Sequence, residues 1–338
     1  MKTRHISQRH EPLRVVAIGG GTGLSTLLKG LRRFAAPPAM IDLTAVVTVT
    51  DDGGSSGRLR REFEVLPPGD IRNCMAALAE DEALLTQLFQ YRFEQGRGLK
   101  GHSFGNLLLT AMTRITGDFS RAVQLSSEVL AIAGRIYPST GSNVSLRAVL
   151  ADGSHVQGET NISRSRQRIG RIELVPASCH PLPETLDAIR QADLITLGPG
   201  SLYTSVVPNL LVEGIANAIR RSRALKACFV NLMWQPGETV GLSASEHIKA
   251  MFDHAGLRVV DLAVLNTAPI SRPKIRRYAE LMAEPVENDV EELRRMGLAV
   301  VGLDLLAHTA KVRHDPEKTA AIAYQLAKKG RRRRLHPA

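Results

Sequence analysis

No apolar run in these 338 residues approaches the roughly 18 that a membrane-crossing helix needs. The opening residues, MKTRHISQRHEPLR, are polar and basic and have no apolar signal-peptide core, so a cytoplasmic location is expected. Cysteine is scarce: Cys74, Cys179 and Cys228 are odd in number, far apart and without a CxxC pair. They give no metal or redox signature and read as small core residues. Aromatics are 4% of the chain, so the 43% hydrophobic share must build a core mainly from Ala, Leu, Val and Ile. That is the composition of a parallel sheet buried under helices.

The net charge of +11 raises the question of nucleic acid, but its distribution answers against it. The last eleven residues, KKGRRRRLHPA, hold six positive charges, and the first fourteen hold a net three, which leaves only +2 for the body. A basic end of this kind reads as a solvated, disordered tail, so nucleic acid is not the expected partner. Residues 1–13 are expected to be a disordered basic N-terminus, 14–327 one α/β domain, and 328–338 the basic tail.

Residues 14–18 (RVVAI) form a short apolar run stopped by glycines, which predicts a buried first strand. Leu24, Leu27, Leu28 and Leu31 follow at helical spacing. Residues 43–49 predict a second strand, and 50–57 (TDDGGSSG) a loop. Helical patterns occupy about 70–92, 105–116 and 119–133. Between about 140 and 176 the texture changes. Runs at 144–150 and 156–162 flank Asp152-Gly153, a hairpin signal, and 171–175 predicts a third strand beside them. The α/β rhythm then resumes, with strands at 193–197, 225–231, 259–266 and 298–301. Helices are expected at 210–221, at 243–254 with Ser243 and Glu246 as a capping box, and at 316–328. The expected fold is a three-layer α/β/α Rossmann-like parallel sheet with a small antiparallel β insertion.

In such sheets ligands bind beyond the carboxyl ends of the strands, which ranks the polar loops. The first is Gly19-Gly20-Gly21-Thr22-Gly23, between a strand and a helix. Glycines there let backbone N–H groups approach a phosphate, and the helix N-terminus favours an anion. The spacing departs from the dinucleotide fingerprint, because Leu24 stands where its last glycine belongs, and no Gly-Lys-Ser/Thr follows as in a Walker A loop. Asp51 and Asp52 end the second strand, where carboxylates suit a hard cation or a ribose diol. Ser55, Ser56 and Arg58 suit phosphate oxygens. Asp70 either caps the next helix, with Asn73 on its first turn, or joins Asp51 as a metal ligand if the loop folds back. The segment 101–106 brings His102, an acid–base candidate with no nucleophile at fixed spacing, and Asn106. Gly200 and Ser201 lie in a second small-residue turn. Two such turns in one sheet favour a two-ended ligand.

Taken in order, IGGGTGLSTLLKGL, VTVTDDGGSSGRLR, PPGDIRN, GHSFGNLLLTAM, LGPGSLYTSVVPNLL, QPGET and VRHDPEK closely resemble the CofD-like family, and within it the gluconeogenesis factors. The likeness runs from about Leu13 to Ala327. It implies a Rossmann-like fold and binding of UDP-sugars, notably UDP-N-acetylglucosamine. It also implies a role in carbon flux and cell shape on gluconeogenic carbon sources, with cell-wall or cell-shape proteins as partners and a homo-oligomeric state. The transferase branch of the same family moves a phospholactyl group from a nucleoside diphosphate with Mg2+, which carries Asp51 and Asp70 over as metal residues. GGSSGRL after Asp52 matches the regulatory branch, which implies no catalysis. The resemblance also carries Tyr278 and Arg313 over as ligand-binding residues. Trp234 departs from the family, which commonly has a small polar residue there. A dinucleotide oxidoreductase is the reading that Leu24 disfavours, and a nucleic-acid binder rests on the tail alone.

Overall fold

The computed structural model describes residues 11–79, 84–165 and 167–335. Most of the expected N-terminal arm, 1–10, and the end of the tail, 336–338, lie outside the described residues. Seven strands form one sheet among the described residues: β1 (Leu13–Gly19), β2 (Ile41–Val47), β3 (Arg135–Pro138), β7 (Leu194–Leu197), β8 (Leu225–Phe229), β9 (Leu262–Asn266) and β10 (Ala299–Leu303). Three more, β4 (Ser145–Leu150), β5 (His155–Gln157) and β6 (Ile169–Val175), form a separate antiparallel sheet in the order β5-β4-β6. The large sheet runs β10-β9-β8-β7-β1-β2-β3 with every pairing parallel. Its inner strands β7 and β8 are buried at every position, as a sheet covered on both faces requires.

The order fixes where a ligand can sit. From β1 the chain winds outward through β2 to β3, and from β7 it winds the other way through β8 and β9 to β10. The reversal lies between β1 and β7, and their carboxyl ends open the crevice that doubly wound sheets use for ligands. Helix α1 (Gly21–Ala35) follows β1 directly and buries Leu24, Leu27, Leu28 and Leu31 along one stripe. The C-terminal helix (Pro316–Leu335) packs against it. Gly30 makes this approach fit, because a Cβ there would stand 1.9 Å from the Pro316 carbonyl oxygen.

Several local expectations change. Residues 54–57 are not loop: helix α2 (Gly54–Phe63) starts at Gly54, so Ser55, Ser56 and Arg58 sit on helical turns. Polar composition hid this, since the helix buries Ser55, Ser56, Gly57 and Leu59 in place of an apolar stripe. The second hairpin arm stops at Gln157, where Gly158 at φ 90° turns the chain into a short helix, Glu159–Arg164. Leu13 belongs to β1. The edge strand β3 and the helix Pro183–Gln191 were not expected, and the helix expected over 210–221 is two pieces, Val207–Leu211 and Ile215–Arg221, broken at Gly214.

The basic tail is the largest correction. Residues 328–335 continue the C-terminal helix. Arg331 Nη2 lies 2.7 Å and Arg334 Nε 3.0 Å from the carboxylate of Asp193, whose side chain is fully buried. Asp193 also accepts the Arg14 backbone N–H at 2.8 Å. Arg333 pairs with Asp261 at 2.9 Å. A buried carboxylate stripped of its cations is left with an uncompensated desolvation cost. The paired substitution Arg331→Ala and Arg334→Ala should therefore lower the unfolding free energy by about 3–5 kcal/mol, read from urea denaturation. An unchanged midpoint would show that the helix end contributes nothing to the fold.

Candidate functional site

At the switch point the two glycine turns touch. A Cβ on Gly23 would lie 2.4 Å from the Pro199 carbonyl oxygen and 2.6 Å from Gly200 Cα, so only glycine lets the start of α1 lie against the turn after β7. Gly21, at φ 60°, takes a left-handed conformation that favours glycine. The Gly19 carbonyl is fixed by the Thr48 N–H at 2.9 Å and by Asn209 Nδ2 at 3.2 Å. Asn209 also donates to the Ser205 carbonyl at 2.7 Å, tying the segment after the second turn to the first. At the N-terminus of α1 the cap position Gly20 has no side chain of its own, and the buried Asp70 carboxylate accepts the Gly21 N–H from behind the turn.

A cavity of about 350 Å³ opens over these turns. Gly20, Gly21, Thr22 and Gly23 form one wall, and Gly200, Ser201 and Ser205 the next. Residues 231–236, Tyr278 and residues 312–314 close the far side. Gln235 Nε2 donates to Ser201 Oγ at 2.6 Å and its amide oxygen accepts from Asn231 Nδ2 at 3.2 Å, a chain that leads away from the second turn. Trp234, half-buried, donates Nε1–H to the Leu242 carbonyl at 3.0 Å and presents part of its surface to the cavity. The Tyr278 hydroxyl accepts the Val312 N–H at 3.0 Å, and the Arg277 guanidinium lies over the Tyr278 ring. Tyr278 thus positions the 312–314 segment as well as lining the space. Arg313 is exposed at the mouth, and among the described residues no hydrogen bond or ion pair engages its guanidinium.

The remaining predicted residues gather behind the first turn, outside that cavity. Helix α3 (Gly69–Leu78) brings Asp70 against Gly20, where a Cβ would meet the Asp70 carboxylate at 2.6 Å. Asp70 is not the cap of α3: Pro68 holds that position and Asp70 lies in the first turn. The loop folds back as required for a shared site, since a Cβ on Gly69 would meet Ser56 Oγ at 2.4 Å and Asp51 Oδ2 at 2.5 Å. Asp51 Oδ1 accepts the Gly53 N–H at 2.9 Å. Asp52 faces another way and accepts both the N–H and the hydroxyl of Thr160, at 2.9 and 2.6 Å. Ser55 Oγ pairs with His102 Nδ1 at 2.9 Å, Arg58 donates to the Lys100 carbonyl at 2.8 Å, and Asn73 accepts from Arg72. Asn106 is buried in the first turn of its helix, and its amide oxygen has no partner.

Two acids that the sequence reading passed over complete this group. Burial, with Asp70 and Asp51 nearby, pushes Glu159 up to about 9. Burial pushes Glu238 up to about 7 against the opposing bonds from Thr204 and Ser163. Burial and then Asp51 push Asp70 up to about 7, and burial raises Asp51 as well. Glu159 could have been found only by knowing that the insertion folds its helix onto the Asp51 loop. Among the described residues no group of three or more His, Cys, Asp or Glu side chains is placed to hold a metal ion. Two adjacent carboxylates that repel each other still fit a magnesium ion that keeps most of its waters and takes its other ligands from a phosphate.

The fold and the site define a doubly wound α/β protein with a glycine-lined cleft at its switch point. The model of the family 2-phospho-L-lactate transferase CofD matches residues 15–306, and the chain belongs to that family. It is 47% identical over 316 residues to the gluconeogenesis factor of Bacillus subtilis, covering 93% of this chain and 98% of that one. A putative gluconeogenesis factor of a Nostoc species is 51% identical over 312 residues, 91% of this chain and 67% of the relative. The crystal structure of a UPF0052 family member from Bacillus halodurans superposes with a TM-score of 0.88 at 46% identity, covering 93% of this chain and 99% of that chain. Among the described residues no helix is long and apolar enough to cross a membrane.

The raised acids make stability depend on pH. Asp70 moves from an ordinary 3.8 to about 7 in the folded chain. The folded state therefore resists its ionisation: its contribution is fully present below about pH 4 and is lost as pH rises toward 7. In metal-free buffer Asp70→Asn should flatten the fall in stability between pH 4 and 7 and melt above wild type at pH 8. A variant that melts lower than wild type at pH 8 would show that the carboxylate is stabilised by partners when ionised.

Proposed function

We propose that this protein is a nucleotide-sugar-binding regulator, a gluconeogenesis factor whose cleft takes a UDP-sugar, UDP-N-acetylglucosamine foremost. The observation that carries this reading is the direct contact of the two glycine turns, Gly23 against Pro199 and Gly200. It puts the glycine-rich N-terminus of α1 and a second small-residue turn on one cavity, which suits a diphosphate with a group at each end. The unengaged Arg313 supplies a cation at the mouth, and the apolar wall of Leu232, Met233 and Val312 suits a base or sugar face. By this reading the protein works in the cytoplasm as a homo-oligomer, sensing nucleotide sugar and acting on carbon flux and cell shape through protein partners. Nucleic acid has little to bind at the basic end, where Arg331, Arg333 and Arg334 are already paired.

Titration calorimetry against UDP-N-acetylglucosamine, other UDP-sugars, GDP and NAD tests the proposal. Saturable UDP-sugar binding without turnover is expected, and Arg313→Ala should weaken it roughly ten- to a hundredfold, the range for loss of one charge-assisted bond. Failure of every UDP-sugar to bind at millimolar concentration would defeat the reading.

A second reading draws support from Asp51 and Asp70 behind the first turn. They would hold Mg2+ against a donor diphosphate, and the ion would neutralise charge on the phosphate oxygens during group transfer. Product formation from a phospholactyl or sugar-nucleotide donor, abolished in Asp51→Asn, is the result this reading requires.

A further inference from the structure

The two edges of the large sheet are built differently. The bonds that flank β10 fix its phase: the Ala299 N–H donates to the Asp261 carbonyl at 3.0 Å, and the Leu303 carbonyl accepts from the Thr267 N–H at 2.8 Å. Ala299, Val301 and Leu303 therefore turn their backbone groups toward β9, while Val300 and Gly302 turn theirs away from the sheet. Among the described residues no hydrogen bond reaches the N–H or C=O of Val300 or Gly302. The strand reads AVVGL, with no charge and no proline, and Ala299, Gly302 and Leu303 are exposed. At the opposite edge the Ser139 N–H donates to the Val47 carbonyl at 2.8 Å, so Ile136 and Pro138 are the outward residues of β3. Pro138 has no N–H to offer and Ile136 is buried, which closes that edge. An open, uncharged edge strand is a template for another strand, and folded proteins blunt it or cover it.

The pattern of β10 indicates what covers it. A second copy of the strand, running antiparallel about a two-fold axis through Val301, sets Val300 opposite Gly302 of the other copy. Each such pair exchanges both of its bonds, so one register satisfies every outward group of both strands. The strand carries no charge that would select a partner of opposite sign. The helix Val290–Arg295, which packs against β10, adds complementarity under the same axis. Its first turn holds Glu291 and Glu292, and its last holds Arg294 and Arg295. The axis sets two copies of this helix antiparallel on one face of the sheet, with the acidic end of each toward the basic end of the other. We propose that β10 is the interface between two copies of this chain, an isologous antiparallel pairing centred on Val301 that joins their sheets into one. The pairing gives the proposed homo-oligomer its surface and uses no residue of the cleft.

Analytical ultracentrifugation of the ligand-free full chain tests the pairing. Wild type should sediment as a dimer. Proline at position 300 removes an outward N–H and leaves the ladder to β9 in place, so Val300→Pro should raise the dimer dissociation constant roughly a hundredfold or more while melting near wild type. A monomeric wild type, or a folded variant that dimerises as wild type does, overturns the proposal. Cysteine substitution reads the register even where the proline variant does not fold. Residues facing each other in a non-hydrogen-bonded antiparallel pair stand about 4.5 Å apart at Cα, within disulfide reach. The native Cys74, Cys179 and Cys228 are buried. Val301→Cys should therefore give a disulfide-linked dimer under mild oxidation, whereas Ala299→Cys, placed opposite Leu303 of the other copy, should not. No crosslink through Val301→Cys, or equal crosslinking of both variants, overturns the pairing. Neither measurement involves a ligand, so this proposal and the UDP-sugar reading fail separately.

Discussion

The seam between β1 and β7 is the constraint on which the rest of the structure depends. These two strands lie side by side although 174 residues separate Gly19 from Asp193, the residue that precedes β7. At the amino end Asp193 is bonded to Arg14 in both directions and holds Arg331 and Arg334. At the carboxyl end the turns after each strand meet at Gly23 and Pro199. The seam is thus held by charge at its amino end and by close backbone contact at its carboxyl end, where the cavity opens. The two ends use opposite chemistry for a physical reason. A buried carboxylate needs paired cations, whereas two backbone turns in direct contact need glycine where a Cβ would collide.

This arrangement explains why the two halves of the sheet share one site. Gly20 and Gly21 reach the cavity from the β1 side, and Gly200, Ser201 and Gln235 reach it from the side of β7 and β8. Asn209 and Gln235 carry the connection further. One donates to the Gly19 carbonyl, and the other joins Ser201 to Asn231. The acids behind the turn form a separate layer. Asp70 touches Gly20, and Asp51 touches Gly69, but neither lines the cavity. Glycine is what keeps these layers in contact, because any side chain at position 20 would collide with the Asp70 carboxylate.

The parallel sheet and the glycine turns were legible in the sequence because burial and backbone freedom are local signals. RVVAI before GGGTG says strand and turn with no knowledge of the partner strand. What failed to show were features set by distant neighbours. GSSGRLRREF lacks an apolar stripe, so the helix it forms is visible only once α2 is seen to bury serines and a glycine. The tail read as solvated because its arginines carry no mark of the buried aspartate 138 residues upstream of Arg331. Glu159 looked like part of a strand, and its approach to Asp51 and Asp70 depends on where the insertion folds. Half of the candidate residues came to the cavity directly. Asp51, Asp52, Ser55, Ser56, Arg58, Asn73 and Asn106 instead form the support behind it.

Tyr278 and Arg313 show why shared lining does not mean a shared role. Tyr278 spends its hydroxyl as an acceptor for the Val312 N–H, so removing its ring disturbs the segment that carries Arg313 and His314. Arg313 has no such duty, since no partner among the described residues holds its guanidinium. A ligand's anionic part can therefore engage Arg313 without breaking an internal bond, whereas a polar contact to Tyr278 must compete with Val312. The far wall is consequently one unit, with Tyr278 as its brace, Arg313 as its free cation and His314 as its buried acceptor. A change at Tyr278 acts on both of the others, a change at His314 also frees the Val230 backbone, and truncating the Arg313 side chain breaks no internal bond.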